Sequence, residues 1–182
     1  MAELTDRIIV PIDASHPELG RWLWALEDTR ARTKEALVGL GQESLDWTAP
    51  GVENSIGSLL YHIALIEGAY LYGDILGMVE YPAWLDEPEA FAIPDRDDAG
   101  RLSVVSGVSL DAHLARLDRI RVELLRLVAP LTAEQLATPR YFAEENYDVS
   151  PAWVLHHLMQ HEAEHRGQIA AIRALHDSSL SR

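Results

Sequence analysis

The chain has 182 residues, 48% of them apolar and 24% charged, the composition of one ordinary globular domain (1–182) with a core of its own. A formal charge of −14 repels phosphate backbones and argues against a nucleic-acid partner; the absence of cysteine removes disulfides, thiolate ligands and any cysteine nucleophile. No apolar run approaches the ~18 residues of a membrane span, and Met1 to Arg7 has no basic stretch leading into an apolar one. The expectation is therefore a cytoplasmic chain without a membrane partner.

Ile8-Ile9-Val10-Pro11-Ile12 reads as a short extended lead-in. Four long segments then carry the helical period. The first runs from about Pro17 to Leu40, with Leu19, Trp22, Leu23, Leu26, Thr33, Leu37 and Leu40 as its stripe, Pro17 at the start and Gly41 as the stop. The second runs from about Ser55 to Leu76 with Asn54 as its cap, and Leu59, Ile63, Ile66 and Ala69 on its inner face. Between the second and third lies a stretch of roughly 30 residues, 78–108, with three prolines and the acidic run Asp95-Arg96-Asp97-Asp98. A connection of this length suits a functional lid or a crossing of the fold.

The third helix begins at Ser109 and ends near Val128. Its Arg116, Arg119, Arg121 and Arg126 alternate with Leu114, Leu117, Ile120 and Leu124, which reads as the wet side of an amphipathic helix. Thr132-Ala133-Glu134-Gln135 has the capping-box pattern and starts a further turn or two. The fourth helix, capped by Ser150, runs from Pro151 to about His176, with Val154, His157, Leu158, His161, His165, Gln168, Ile169 and Ile172 facing inward. Four amphipathic helices around one core make an all-α four-helix bundle.

The chemistry concentrates in the fourth helix. His157, His161 and His165 stand four apart on one face, and imidazoles one turn apart can converge on one ion. His157 and His165 are separated by about 12 Å of helix axis, so the ligand pair is either 157/161 or 161/165. An open catalytic site needs a third protein donor. His62, mid-way along the second helix on its inner face, is the candidate. His16 sits at a helix start, His156 is turned about 100° from the ligand face, and His176 is near the terminus. His113 stands at the edge of the third helix's apolar face, where it could support the ligands from behind.

His161-Glu162-Ala163-Glu164-His165 also matches H-E-x-x-H, in which a glutamate serves a metalloprotease as general base. The further ligand such enzymes require is missing: position 171 is Ala171, and the only acid after His165 is Asp177. Glu162 and Glu164 are expected to face solvent.

The segment from His161 to Ile169, read as H-x-x-x-H-R-G-Q-I, resembles the C-terminal signature of the DinB-like superfamily. Asn54-Ser55-Ile56-Gly57-Ser58-Leu59-Leu60-Tyr61-His62-Ile63-Ala64 is similar to its second-helix motif. The resemblance spans nearly the whole chain. It implies an up-down-down-up bundle with a long crossing connection between helices two and three, one divalent ion on His62, His161 and His165, and a homodimer. The aromatic surface of Trp22 and Trp24, on adjoining faces of the first helix, suits such pairing. His157 and Gln168 are expected to stand behind or beside the ligands. Three imidazoles accept several metals, zinc and nickel foremost. Family members include thiol-dependent transferases and isomerases. The expected activity is therefore that of a metal-dependent transferase acting through a low-molecular-weight thiol, or of a metal-assisted hydrolase. The other reading is a metal-binding bundle with a binding or stress role and no turnover.

Overall fold

A computed structural model describes residues 8–142 and 146–181. Met1 to Arg7, which carry the expectation about a leader segment, lie outside the described residues.

Helix α1 spans Pro17–Leu37. Pro17 supplies the first helical residue, and the His16 ring accepts a hydrogen bond from the Leu19 amide at 3.4 Å, so this histidine serves as a cap. The helix stops short of Leu40 because Gly39 turns the chain with φ of +81°, a conformation that favours glycine. A short helix α2, Gln42–Asp46, follows. Five residues are too few to register as a helical period, and the sequence gives no sign of it.

Helix α3 spans Ile56–Ala69 and is capped by Ser55, not by Asn54: the Ser55 hydroxyl accepts from the Ser58 amide at 3.1 Å. The expected continuation to Leu76 exists, but as a wider π-helical turn over Tyr70–Ile75. Helix α5, Leu110–Val128, starts on Ser109 as expected; α6, Ala133–Ala137, has the full capping box of Thr132 and Gln135; and α7, Pro151–Leu180, starts on Ser150. A two-stranded hairpin, β1 Arg140–Phe142 with β2 Tyr147–Val149, precedes α7 and was not legible as strands.

The segment between α3 and α5 is bound down along its length. It contains a 3₁₀ turn, Ala83–Asp86, and one helical turn, α4, Pro88–Phe91. The Tyr61 hydroxyl donates to the Ile93 carbonyl at 2.7 Å and accepts from the Ile93 amide at 2.9 Å. Ser58 accepts from the Val105 amide at 3.0 Å, and Arg116 donates to the Ala90 carbonyl at 2.6 Å. These bonds make the segment a strap across α3 and α5 and not a free lid.

The long helices meet at defined pairs. Trp22 touches His156, and Arg166 and Arg173 donate to the carbonyls of Thr29 and Ala36, so residue numbers rise together along α1 and α7. They rise together along α3 and α5 as well: Tyr61 meets Arg116, and Gly68 meets Ile120. There a Cβ on Gly68 would lie 3.0 Å from Ile120 Cδ1, so glycine sets the spacing. Along α3 and α7 they run in opposition, His62 meeting His161 while Tyr70 meets His157.

Buried apolar residues form two clusters. One includes Leu19, Leu23, Leu26, Leu71, Leu124, Val154 and Leu158; the other includes Leu37, Leu59, Ile63, Leu117, Ile169 and Ile172. Arg30, Glu67, Arg121 and Glu162, one from each long helix, lie between them and are all at most 3% exposed. Arg30 bonds Glu67 at 2.5 Å and Glu162 at 2.8 Å; Arg121 bonds Glu67 at 2.6 Å and Glu162 at 3.2 Å. Arg30 Nη1 reaches the Leu117 carbonyl, and Arg121 Nη1 reaches the Leu26 carbonyl and, at 3.1 Å, the half-exposed Glu27 carboxylate. Two sequence readings are corrected here. Arg121 and Glu162 are core residues, not solvated ones, because each finds opposite charge and further hydrogen bonds in the interior. Burial pushes the Glu67 carboxyl up, but the two guanidiniums outweigh it and hold it below its ordinary range. Arg116 is also buried, with its guanidinium over the Tyr61 ring. Among the described residues no helix is long and apolar enough to cross a membrane.

Candidate metal centre

Helix α7 places His161 and His165 one turn apart, and α3, running against it, brings His62 opposite them. The Nε2 atom of His161 lies 3.1 Å from Nε2 of His62 and 3.1 Å from Nε2 of His165. The three ligand atoms lie within 4.8 Å of one another, and among the described residues this is the group that could hold a metal ion. His62 is buried, and the other two are half-buried.

The far nitrogens of two rings are held. His62 Nδ1 faces Asp95 Oδ1 at 2.5 Å, and His165 Nδ1 faces Gln168 Oε1 at 2.9 Å. Both partners are acceptors, so the neutral form of each ring carries its proton on Nδ1 and turns a bare Nε2 lone pair to the centre. His161 Nε2 stands between those two lone pairs and can offer one proton to only one of them. The other contact is then lone pair against lone pair, which a cation relieves. Nitrogens at ~2.1 Å around a tetrahedral ion are about 3.4 Å apart, close to the 3.1 Å found. The donor set therefore fits one divalent ion.

Burial, and then the neighbouring His165, His62 and His157, push the His161 pKa down to about 3. Burial also lowers His62, against the opposing pull of Asp95. Both rings are neutral at physiological pH, the form in which imidazole binds a metal.

His157 does not join the three. It stacks on Trp153 with ring centroids 4.8 Å apart and planes 8° apart, and its centroid is 5.7 Å from that of His161. Thus the 161/165 pair, not 157/161, meets His62. Gln168 is exposed and orients His165. His113 lies away from the three, buried beside Gly57 with Nδ1 3.3 Å from Arg116 Nη1. His156 is exposed against Trp22, and His176 is buried against Trp47. The glutamate of the H-E-x-x-H match, Glu162, is locked between Arg30 and Arg121, which removes it as a general base. Glu164 is exposed, as expected.

Asp95 is the residue that sequence reasoning missed. The signal was partial: a ligating histidine commonly donates its second N–H to a carboxylate, and the strap carries an acidic run. Nothing in the sequence chooses Asp95 from its neighbours; the docking of the strap does.

The three histidines open onto a cleft of about 410 Å³. Its walls include Ile66, Tyr70, Leu102 and His157, and its polar groups include Asn54, Arg96 and Gln168.

Helices carrying three histidines from two elements, with an orienting carboxylate and an open side, define a helical protein with a candidate metal centre. The profile of the DinB superfamily matches residues 25–169, and the chain belongs to that superfamily. In fold it is similar to a conserved protein from Enterococcus faecalis of known crystal structure, at 18% identity and a TM-score of 0.67, over 85% of this chain and 94% of that one. Among curated proteins none matches.

Proposed function

We propose that the chain is a metal-dependent enzyme that holds one divalent ion, zinc or nickel, on His62, His161 and His165. The four long helices form one up-down-down-up bundle around the ion-pair layer, with the strap as the crossing connection. The paired contacts along α1 with α7, α3 with α5, and α3 against α7 support that arrangement. The convergence of three imidazole Nε2 atoms, those of His62, His161 and His165, carries the functional reading.

A bound ion would act as a Lewis acid that makes a thiol or water a nucleophile near neutral pH. The protein's own contribution is orientation: Asp95 and Gln168 fix two imidazoles, and Tyr61 fixes the strap that carries Asp95. The cleft beside the histidines favours turnover over a purely structural metal, because His157 is engaged with Trp153 and leaves that side open. The favoured reaction is transfer through a low-molecular-weight thiol, with metal-assisted hydrolysis as the competing chemistry and a homodimer as the working form. Trp22 and Trp24 are half-buried in one chain and offer surface for such pairing; a monomeric mass by light scattering at micromolar concentration would reject it. Metal analysis of the purified protein, followed by assays with a panel of thiols and electrophiles, tests the function. A chain without metal after saturating exposure to zinc and to nickel would overturn it.

A further inference from the structure

We propose that the cleft is built for a thiol that also bears a carboxylate, and that Arg96 binds that carboxylate. The inference rests on the proposed metal site and names the class of ligand that reaches it.

Arg96 is placed by a small, well-bonded turn. The Asp97 amide donates to the Arg101 carbonyl at 2.9 Å, the Ser103 amide to the Asp95 carbonyl at 3.0 Å, and the Asp97 carboxylate accepts from the amides of Ala99 and Arg101. Arg96 and Leu102 pair across this turn in an antiparallel bridge, so their side chains leave it on the same side. Both line the cleft that contains the three histidines. The Arg96 guanidinium is half-exposed; Nη1 donates to the Gly100 carbonyl at 2.9 Å, and Nε is 3.4 Å from Asp95 Oδ2. Nη2 has no hydrogen-bond partner among the described residues, which leaves N–H capacity for a ligand oxygen.

The charge balance makes this position informative. The chain has 29 acidic and 15 basic residues, yet the residues lining this cleft include Arg96 and no carboxylate. Arg96 is the one charged side chain among the lining residues; its Nε faces Asp95, its Nη1 the Gly100 carbonyl, and the rest of its guanidinium is open to a ligand. Asp95 sits behind His62 with Oδ1 on its far nitrogen and Oδ2 beside Arg96 Nε, so neither oxygen lines the cleft and the Nη2 edge of the arginine stays available. A ligand with a sulfur donor at the histidines and a carboxylate a few bonds away would satisfy both ends, its carbon chain lying along Ile66, Leu102 and Tyr70. The overall field of the protein repels such an anion, so a preference for it must come from local recognition.

The test uses the full chain loaded with Co(II) and reads the near-ultraviolet thiolate-to-cobalt absorption at pH 7.5. Three thiols of similar size are titrated: 3-mercaptopropionate, 2-mercaptoethanol and cysteamine. The expected result is about tenfold tighter binding of 3-mercaptopropionate than of 2-mercaptoethanol, with cysteamine weakest. Arg96→Gln should erase that preference, and Arg96→Lys should restore part of it. Comparing thiols within each protein cancels any change in cobalt affinity. Equal affinity for the three thiols, or a preference that survives Arg96→Gln, overturns the role of Arg96. Failure to take up cobalt, or an absorption band with none of the thiols, overturns the metal or thiol reading beneath it and is distinguishable on sight.

Discussion

His161 and Glu162 are neighbours in the chain and belong to two regions that use charge and lone pairs in opposite ways. Glu162 enters the layer it forms with Arg30, Glu67 and Arg121, where two positive and two negative groups cancel and the arginine donors find carboxylates or carbonyls. His161 enters a cluster in which three Nε2 atoms face one another while Asp95 and Gln168 hold the far nitrogens of His62 and His165. The first region is closed and complete within the fold. The second is a group that could hold a cation, and it borders the cleft. Buried polarity alone does not mark a functional site; what marks one is a set of groups that the protein itself leaves incompletely matched.

The largest effects should fall on the ion layer. Removing one member leaves an uncompensated buried charge, so Glu162→Ala should cost about 3–5 kcal/mol of stability, read as the midpoint in urea. Its neighbour His161→Ala should do the reverse: little loss of apo stability, and a loss of metal affinity beyond the roughly 10–100-fold that removing a ligand's orienting partner costs. His62→Ala and His165→Ala should match it, while exposed His156→Ala should leave metal binding unchanged. If Glu162→Ala and His161→Ala gave the same profile in the two measurements, the division between the regions would collapse. Full metal occupancy in His62→Ala would remove the cross-helix site.

The metal should therefore stabilise through the second region only. At 100 times Kd, ligand binding adds about 2.7 kcal/mol, which for a chain of this size raises Tm by roughly 5–10 °C. At pH 7.5 a chelator should return Tm to the apo value. A Tm indifferent to both metal and chelator would break the comparison from the other side.

How much of this was legible in the sequence differs between the two regions. The histidines were in part: helical spacing left the 157/161 and 161/165 pairs open with His62 as third donor, and the resemblance to the superfamily's two motifs chose 161/165. The ion layer was not read, although its signal was present. Arg30, Glu67, Arg121 and Glu162 each stand four residues after a core apolar residue: Leu26, Ile63, Leu117 and Leu158. Each breaks an apolar stripe at an inward position, and the signs balance across the four helices. A single charge on a stripe is ordinarily placed at the solvent edge; four together, neutral in sum, are what an interior can accept. The bound-down strap and Asp95 depend on tertiary hydrogen bonds from Tyr61, Ser58 and Arg116, which no local pattern encodes.

A histidine outside both regions gives a smaller effect with a definite sign. Burial, and then Arg116, push the His113 pKa down to about 4, against a weaker opposing pull from Asp46. The unfolded chain, with His113 near 6.5, binds more protons between pH 6.5 and 4, so this stability is fully present above pH 6.5 and is lost as pH falls towards 4. The contribution is on the order of 3 kcal/mol. Measured in chelator, so that metal binding does not enter, His113→Gln should flatten the fall in stability across that window. An unchanged slope would show that His113 does not titrate as a buried group.

The smallest predicted effect probes the link that the strap makes to the metal region. Asp95 accepts from His62 Nδ1 at 2.5 Å, and its carboxylate raises the basicity of the ring whose Nε2 faces the site. Orienting carboxylates of this kind contribute about 10–100-fold in metal affinity. Asp95→Asn keeps an acceptor and loses the charge, so it should fall near the lower end; Asp95→Ala loses both and should fall near the upper end. The strap should stay docked in either variant, because Tyr61 holds Ile93 through two hydrogen bonds and Ser58 holds the Val105 amide without help from Asp95. Hydrogen exchange at the Ile93 and Val105 amides reports that docking, and competition with a metal indicator reports affinity. Lower affinity with unchanged protection assigns the loss to orientation and charge at His62. Lower affinity with both amides exposed would mean that Asp95 acts by pinning the strap. Wild-type affinity in Asp95→Ala would show that His62 needs no partner behind it, leaving the metal region, like the ion layer, fixed by its helices alone.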